Sequence, residues 1–319
     1  MGRVSDLAKQ DGLYTLCLEG IDKGQVVQSR QIIDVLNDFV NPYEDYQKYL
    51  SYAHSEDLEV VVSNTTEAGI VYDPACNLND KPCASFPGKL TQVLYARYQA
   101  GKKGIIMLAC ELIDNNGKEL LKCVNQYIDQ WALEEGFKKY INEECAFCGS
   151  LVDRIVPGFP RETIGEIKEE LGFDDNLVVK AELYHLWAIG GPGYKKVMEE
   201  LPLDKAGLHV IFMPSIKQFR DKKVRILNGS HTGMVPIGLQ MGCETVMDAF
   251  NTPAIEKFVN DMVAEEVIPM IEEDQAELKE FAAGILERFY NPYIRHMLKT
   301  ISLNSLSKWE TRNFPTVLD

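Results

Sequence analysis

Apolar runs and polar segments alternate along the first half of the chain, and their lengths predict a succession of strands and helices. Residues 12–20 and 24–33 are strand-like segments on either side of a polar Ile-Asp-Lys-Gly turn, which predicts a hairpin. The apolar runs 58–64 and 104–110 predict buried strands, and each is followed by a helix-forming segment. Two consecutive strand–helix units favour a doubly wound sheet, so we predict an α/β fold of the Rossmann type.

Further elements follow from the same pattern. Helix-forming segments cover residues 41–54 and 123–142, and strand-like segments cover 177–193 and 208–213. The segment 177–193 ends in a Gly-Gly-Pro-Gly run. This run lacks the Gly-Lys-Ser/Thr ending of a phosphate loop, so we interpret it as a turn.

The second half of the chain is predicted to be mainly helical. A long helix is expected from about Ser215 through the 230s, because no glycine or proline interrupts the helix formers before Gly229. Helical segments also fill the chain from about Thr245 onward. We therefore predict a sheet domain at residues 1–157 and a mainly α-helical substrate domain at residues 158–319.

Polar side chains follow both buried strands of the predicted sheet. In open α/β sheets, ligands collect at the carboxyl ends of the strands, so these side chains are candidate ligand contacts. They can equally be capping residues for the segments that follow. After the first strand the candidates are Ser63, Asn64, Thr65 and Glu67, and after the second they are Glu111, Asp114, Asn115 and Asn116.

The segment KVRILNGSH, residues 223–231, carries the densest candidate chemistry. On an α-helix, Asn228 and His231 lie roughly 60° apart and Lys223 lies roughly 80° from His231, so the three side chains can converge on one small molecule. A desolvated lysine can exchange a proton with an alcohol while an amide stabilises the oxyanion. The competing interpretations are a solvated basic face and a simple kink at Asn-Gly-Ser.

Composition and charge exclude several classes of protein. The chain has 319 residues, of which 45% are hydrophobic and 25% charged, which is enough for two domains with full cores. The net charge of −15 opposes nonspecific binding to nucleic acid or an anionic membrane. No apolar run approaches the roughly 20 residues of a membrane helix, and the N-terminus has no apolar signal core. We expect a cytoplasmic protein with reduced thiols and a small-molecule partner.

Residues 145–153 offer two further candidates. Cys145-x-x-Cys148 invites a zinc or redox interpretation, but no second Cys/His pair with ligand spacing accompanies it, so no metal site is predicted. Asp153 and Arg154 lie in an apolar segment, where charges must pair with each other or serve a site.

These motifs together carry a strong resemblance. The chain resembles the long-chain mannitol dehydrogenase family, and most closely those members that reduce tagaturonate, over essentially its whole length. The matching segments occur in family order and are QDGLYT, SNTTEAGI, CELIDNNG, LVDRIVPGFPRE, KVRILNGSH and NPYIRHMLKTISLNSLSKWETR.

The resemblance implies roles for individual residues. In the family the Lys-x4-Asn-x2-His motif is catalytic, which implies Lys223 as general acid/base, Asn228 as oxyanion donor and His231 as a substrate or orienting contact. It further implies Asn116 as a second oxyanion donor. Asp153 and Lys308 are implied to be substrate contacts, and Arg312, one helical turn beyond Lys308, is a further candidate.

The implied reaction is the reversible, metal-independent, NAD-dependent reduction of a keto-uronate, D-tagaturonate, to an aldonate, D-altronate. Polyol-type members place an arginine where Thr300 aligns, which favours a sugar acid as the substrate. Alternatives are fructuronate reduction, polyol oxidation, and a non-catalytic remnant that binds a sugar acid or a partner.

Two departures from the family pattern stand out. The glycine turn that seats the cofactor pyrophosphate is absent, as is the acidic residue expected for the adenosine ribose. Family members also continue beyond the Arg-x-x-Pro segment at residues 312–315. We therefore expect a portion of the enzyme truncated at both ends, with a sheet that lacks its first βαβ segment and has the strand at 58–64 at an edge.

Overall fold

The computed structural model describes residues 4–22, 25–66 and 68–318. The eight strands of this part of the chain are β1 (Tyr14–Asp22), β2 (Gln25–Ile33), β3 (Val60–Ser63), β4 (Ile106–Ala109), β5 (Ala146–Asp153), β6 (Val179–Glu182), β7 (Leu186–Gly190) and β8 (Val210–Met213).

The α-helices are α1 (Val4–Lys9), α2 (Tyr46–Ser51), α3 (Phe86–Gln99), α4 (Asn116–Gln130), α5 (Glu135–Lys139), α6 (Ile164–Leu171), α7 (Tyr194–Glu200), α8 (Lys217–Lys223), α9 (Gly229–Gln240), α10 (Val246–Phe250), α11 (Pro253–Asp261), α12 (Gln275–Arg288), α13 (Leu298–Ile301), α14 (Ser305–Arg312) and α15 (Phe314–Leu318). Shorter π segments cover Tyr140–Glu144, Val224–Asn228 and Met262–Val267, and 3₁₀ turns cover Tyr52–His54, Leu203–Ala206 and Ile268–Met270. No helix of the described residues combines the length and the apolar character needed to cross a membrane.

The chain divides into two compact units that are interleaved in sequence. The first comprises the described residues of Met1–Leu13, Asp34–Asp153 and His185–Lys217, and the second those of Tyr14–Ile33, Arg154–Tyr184 and Gln218–Asp319. The predicted boundary at 157/158 lies close to Asp153, where the chain leaves the first unit. The prediction of two contiguous domains does not describe residues 185–217, which return to the first unit. That return has a physical cause, because β7 and β8 hydrogen-bond into the sheet of the first unit.

The first unit is built on a five-stranded sheet in the order β3-β4-β5-β7-β8. Strands β3, β4 and β5 are parallel, β7 is antiparallel to β5, and β8 is parallel to β7. Strand β3 lies at one edge, as the sequence predicted. The sheet is thus the mixed Rossmann-like sheet expected from the alternating strand and helix segments.

Both faces of this sheet are covered by apolar side chains. Because successive residues of a strand point to opposite faces, Met107 joins the cluster beneath α3 and α4, whereas Ile106 and Leu108 join a second cluster with Ile189 and Val197. This burial on two faces explains why β4 is a continuous apolar run in the sequence.

Two helix predictions for the first unit needed correction, and one helix was missed. The helix expected at 41–54 begins only at Tyr46, where the Asp45 side chain accepts a hydrogen bond from the Lys48 N–H (2.8 Å) and caps it. The helix expected at 123–142 is broken after Gln130 by a left-handed residue, Ala132 (φ 48°). Helix α7 follows the Gly-Gly-Pro-Gly turn and was not predicted.

The second unit combines a three-stranded sheet with helices. The predicted hairpin is confirmed, since β1 and β2 pair antiparallel from Tyr14 opposite Ile33 to Asp22 opposite Gln25. Strand β6 pairs with β1 in parallel. The helical core of this unit includes Met234, Phe250 and Phe289, all nearly inaccessible to solvent.

Candidate functional site

The helix predicted from about Ser215 through the 230s is present, and its middle is not α-helical. Helix α8 ends at Lys223, a π segment spans Val224–Asn228, and α9 continues from Gly229. A π segment inserts a wider turn into a helix and is common at functional sites. Gly229 itself has helical angles (φ −62°, ψ −45°), so the irregularity at this point is the π segment and not a glycine kink.

Lys223 and His231 are both buried on this helix, with 5% and 4% of their surface exposed. Long basic side chains are almost never this buried unless they have a specific role or partner. The interpretation of the segment as an ordinary solvated basic face is therefore wrong for Lys223. Arg225 and Lys222, on either side of it, are only half-buried.

His231 lies in a pocket of aromatic rings. Its ring centroid is 4.7 Å from that of Phe289 and 5.0 Å from that of His296, and the two imidazoles are nearly perpendicular (78°). Among the described residues, His231 Nε2 is buried without a hydrogen-bond partner. A buried polar atom in this condition costs free energy, so it indicates a group supplied by a ligand or water.

The charges around His231 are positive. Burial, first of all, lowers the pKa of His231 well below its ordinary value, and the neighbouring His296 and the positive charges of Arg288, Arg312 and Lys223 lower it further. His231 is therefore neutral at pH 7. A neutral imidazole can accept or donate a hydrogen bond to a substrate hydroxyl.

His296 belongs to this site and was not singled out in the sequence. Burial, with a smaller contribution from the charge of Lys308, lowers its pKa to about 4. Its Nδ1 is also buried without a partner among the described residues. The only sequence signal for His296 is its position within the family-like segment NPYIRHMLK.

Asn228 is half-buried at the end of the π segment. Its Oδ1 has no hydrogen-bond partner in the described part of the chain, whereas its backbone carbonyl accepts a bond from Thr232 Oγ1 (2.9 Å). The carboxamide carries two N–H donors, which is the chemistry required at a developing oxyanion.

Lys308 lines a cavity of about 200 Å³ beside this helix. Its Nζ donates to the backbone carbonyl of Ile301 (2.7 Å), and Arg312 Nη1 lies 3.4 Å from Thr232 Oγ1. Both cations thus lie beside α9, and their role as substrate contacts stays a prediction. The cavity is lined by Thr232, Val235, Pro236, Leu239, Ile301, Ser302, Ser305 and Lys308.

In the first unit, the Glu111 carboxylate connects the polar residues at the ends of β3 and β4. The sequence analysis singled out Glu111 only as a polar residue after a strand. Glu111 is buried and accepts hydrogen bonds from Ser63 Oγ (3.0 Å), Thr65 N (3.0 Å) and Thr65 Oγ1 (2.8 Å). The hydroxyls of Ser63 and Thr65 are thereby engaged within the protein. Asn64 is exposed between them, and Glu67 lies outside the described residues.

Asn116 is the first residue of α4, and its amide is held by the backbone. Nδ2 lies within hydrogen-bond distance of three carbonyls, those of Ala109 (2.9 Å), Glu111 (3.0 Å) and Ser150 (2.8 Å). Both hydrogens of the Asn116 amide therefore have backbone acceptors. To donate a hydrogen bond to a substrate oxygen, the amide would have to give up one of these backbone bonds. Its role as a second oxyanion donor stays a prediction.

Gly117, the next residue, is required by close packing. A Cβ at this position would lie 2.6–2.7 Å from backbone atoms of Cys148 and Gly149, so only glycine lets α4 approach β5 this closely. Asn116 and Gly117 thus hold the start of α4 against the backbone of β4 and β5.

Asp153 and Arg154 do not both belong to a strand. Asp153 is buried at the end of β5, and Arg154 follows it and donates to the backbone carbonyl of Glu182 (3.1 and 3.0 Å). The Glu182 carboxylate forms a buried ion pair with Arg288 (2.7 Å) that the sequence did not reveal. The role of Asp153 as a substrate contact stays a prediction.

Cys145 and Cys148 pack into different clusters of the first unit. Cys145 contacts the cluster beneath α3 and α4, whereas Cys148 belongs to the cluster with Ile189. Three residues apart along an extended chain, they lie on opposite faces of the sheet.

Comparison with protein families identifies the chain. Residues 2–203 match the mannitol dehydrogenase Rossmann domain, and residues 215–319 match the mannitol dehydrogenase C-terminal domain. The chain belongs to the mannitol dehydrogenase family.

Two curated relatives of the chain carry the same name. It is 46% identical over 319 residues to altronate oxidoreductase of Bacillus subtilis (strain 168), covering 99% of this chain and 66% of that protein. It is 41% identical over 317 residues to altronate oxidoreductase of Escherichia coli O7:K1, covering 98% of this chain and 65% of that protein. The chain thus spans slightly less than two thirds of the length of these relatives.

Solved structures support the fold. A substrate-free D-sorbitol dehydrogenase matches 98% of this chain and 66% of its own with a TM-score of 0.81 at 23% identity. The Pseudomonas fluorescens mannitol 2-dehydrogenase, solved with NAD and D-mannitol, matches 98% of this chain and 67% of its own with a TM-score of 0.77 at 19% identity. The predicted Rossmann-like sheet and helical C-terminal part are therefore confirmed.

Proposed function

We propose that this chain provides the substrate-binding and proton-transfer residues of an NAD-dependent reductase that converts a keto-uronate, D-tagaturonate, into an aldonate, D-altronate. The observation that carries the proposal is the burial of Lys223 and His231 on one helix, on either side of a π segment that ends at Asn228. The identity of 41–46% to altronate oxidoreductases across 98–99% of the chain supports the choice of substrate.

Lys223 is the proposed proton donor. In the direction of reduction, its ammonium group gives a proton to the carbonyl oxygen as the keto carbon becomes an alcohol carbon, and the lysine is then reprotonated from solvent. Burial suits this role, since desolvation favours the neutral amine and so eases the release of the proton.

Asn228 and His231 are the proposed partners of Lys223. The Asn228 amide donates a hydrogen bond to the carbonyl oxygen while negative charge develops on it. Neutral His231 uses its buried Nε2 to bind a substrate hydroxyl, which orients the carbonyl towards the lysine.

The positive surroundings of His231 support an acidic substrate. Lys223 and Arg312 act on His231, and Lys308 acts on His296, although the chain as a whole carries a net charge of −15. A uronate carries a carboxylate, which this local positive potential attracts, whereas fructose and mannitol carry no charge. We assign Lys308 and Arg312 to the substrate carboxylate.

The residues of the first unit fit a dinucleotide in part. Asn64 and Thr65 are exposed at the carboxyl end of β3, where open sheets bind ligands, and would hold the nicotinamide half. The 319 residues contain no G-x-G-x-x-G turn for the pyrophosphate. When bound, the nicotinamide supplies the hydride that reduces the keto carbon.

The experiment that tests this proposal compares three substrates with the full-length gene product. NADH oxidation is followed with D-tagaturonate, D-fructuronate and D-fructose. We expect the highest kcat/KM with tagaturonate and a value at least about tenfold lower with fructose, which lacks the carboxylate. Equal or faster turnover of fructose, or of mannitol in the reverse direction, would show that the uronate assignment is wrong.

A further inference from the structure

Two cysteines and an aspartate come together in the loop between β3 and α3. The ligand atoms of Cys76, Asp80 and Cys83 all lie within 4.8 Å of one another. Both cysteines are almost completely buried, and Asp80 is half-buried. The proposed reaction uses none of these residues.

The thiols have only weak contacts within the protein. Cys83 Sγ lies 3.3 Å from the carbonyl oxygen of Asn77, and Cys76 Sγ lies 3.7 Å from Asp73 Oδ2 and from Ser85 Oγ. Thiols are weak hydrogen-bond donors, so these contacts add little stability. Burial, followed by the neighbouring Cys76, raises the pKa of the Cys83 thiol to about 12.

Helices α3 and α4 hold the backbone of each of the three residues. Gln92 accepts from Cys83 N (3.2 Å) and donates to the carbonyl of Asp80 (2.8 Å). The carbonyl of Cys76 accepts from Gln130 Nε2 (2.9 Å) and Trp131 Nε1 (3.1 Å). The three side chains therefore project from a loop whose geometry is fixed by its surroundings, as a metal site requires.

We propose that Cys76, Asp80 and Cys83 bind a zinc ion. Two thiolates and one carboxylate form a donor set that zinc accepts in tetrahedral sites, with a water as the fourth ligand. Binding deprotonates both thiols, so one Zn²⁺ and one water enter and two protons leave. The ion would fix the loop against α3 and α4 and takes no part in the reaction at Lys223.

The first test measures metal content. We expect about one zinc per chain in protein purified with reductant and zinc, and on the order of a tenth or less in Cys76→Ala and Cys83→Ala variants. Cys123→Ala is the matched control, because Cys123 is a buried cysteine of the same unit outside this cluster. It should retain the metal.

A second test separates a metal site from two ordinary core cysteines. Asp80→Asn keeps the shape of the side chain and leaves both thiols in place, so it should fold and yet bind zinc at least about 10-fold more weakly, since even an outer-shell partner of a metal contributes about that much. Cobalt added to the wild-type protein should give a thiolate-to-cobalt absorption band, and zinc addition in weak buffer at pH 7 should release about two protons per ion.

Three results would overturn the proposal. One is wild-type protein with reduced thiols that takes up neither zinc nor cobalt. Another is zinc binding that Asp80→Asn and Cys83→Ala leave unchanged. The third is a Cys76–Cys83 disulfide that persists under the reducing conditions of the metal assay. None of these results bears on tagaturonate reduction, so the two proposals fail separately.

Discussion

The imidazoles of His231 and His296 lie nearly perpendicular, with their centroids 5.0 Å apart, and each has a buried ring nitrogen that no described residue hydrogen-bonds. The two residues are 65 positions apart in the sequence and meet because α9 packs against α13, which begins two residues after His296. Burial disfavours a positive charge on either imidazole, and a charge on one ring would disfavour a charge on the other. The pair is therefore neutral in the folded protein at pH 7, and this has a consequence for stability.

We expect the free energy of unfolding to fall between pH 7 and pH 4. The folded-state pKa of His296 is about 4, whereas an unfolded histidine has a pKa of about 6.5. Between these values the unfolded chain binds more protons, so acidification favours unfolding. The contribution of His296 is on the order of 3 kcal/mol at its full extent.

Urea unfolding at a series of pH values measures this effect. His296→Gln removes the titrating group, so it should reduce the slope of the free energy of unfolding against pH between pH 6.5 and pH 4. His54→Gln is the control, since His54 is exposed on the 3₁₀ turn of the first unit. An unchanged slope in His296→Gln would mean that His296 is not held neutral by the fold.

The buried Glu182–Arg288 pair leads to a second prediction. The Glu182 carboxylate accepts from Arg288 (2.7 Å) and from the Ile155 N–H (2.6 Å) while almost fully buried. Glu182→Ala takes the carboxylate away from a buried guanidinium, so we expect a loss of about 3–5 kcal/mol in the free energy of unfolding.

An exposed ion pair gives the matched control. Lys257 and Asp261 pair one turn apart on the surface of α11, and Asp261→Ala should change the free energy of unfolding far less, because solvent screens an exposed pair. Chemical denaturation of both variants measures the difference. If Glu182→Ala costs no more than Asp261→Ala, the buried pair does not stabilise the fold.

The sequence predicted the strands well for a physical reason. Runs such as 104–110 are apolar on both faces because the sheet is covered on both sides, and β4 lies inside that run. The hairpin of β1 and β2 was equally visible from its polar turn. Local composition therefore predicted these strands, whereas the edge position of β3 followed from the family resemblance and its missing first βαβ segment.

What the sequence could not show depends on contacts between distant residues. Glu182 and Arg288 are 106 positions apart, and nothing in either segment marks them as partners. Ala132 breaks a helix although alanine is the best helix former, so the break reflects tertiary packing. A polar residue after a strand can bind a ligand or the backbone, and only the folded structure shows that the Asn116 amide lies within hydrogen-bond distance of three carbonyls.

The third prediction tests Lys223 as the proton donor. In the full-length gene product, Lys223→Ala should lower kcat by on the order of 10² to 10⁴ while leaving NADH binding nearly unchanged, because proton transfer and cofactor binding are separate functions. Stopped-flow and steady-state turnover with tagaturonate measure kcat, and NADH fluorescence measures binding.

Lys222 supplies the control for lost charge on the same turn. It is paired with Glu273 (2.8 Å) and lies outside the proposed site, so Lys222→Ala should keep a kcat close to that of the wild type. Comparable losses in both variants would point to a general electrostatic or structural effect, and an unchanged kcat in Lys223→Ala would eliminate the proposed role.

The last prediction concerns the charge that selects the substrate. Lys308 lines the cavity beside α9, and its charge reaches His296, which places a cation where the uronate carboxylate is proposed to bind. A charge-assisted contact contributes about 1.5–3 kcal/mol, so Lys308→Met should raise KM for tagaturonate roughly 10- to 150-fold. Any residual activity on fructose should barely change, because fructose has no carboxylate to lose. Lys299→Met, at an exposed lysine in α13, removes the same charge nearby and should leave both substrates unaffected. Equal losses on the charged and the neutral substrate in Lys308→Met would instead place Lys308 at the reacting carbon or in the fold, and would leave the carboxylate to Arg312.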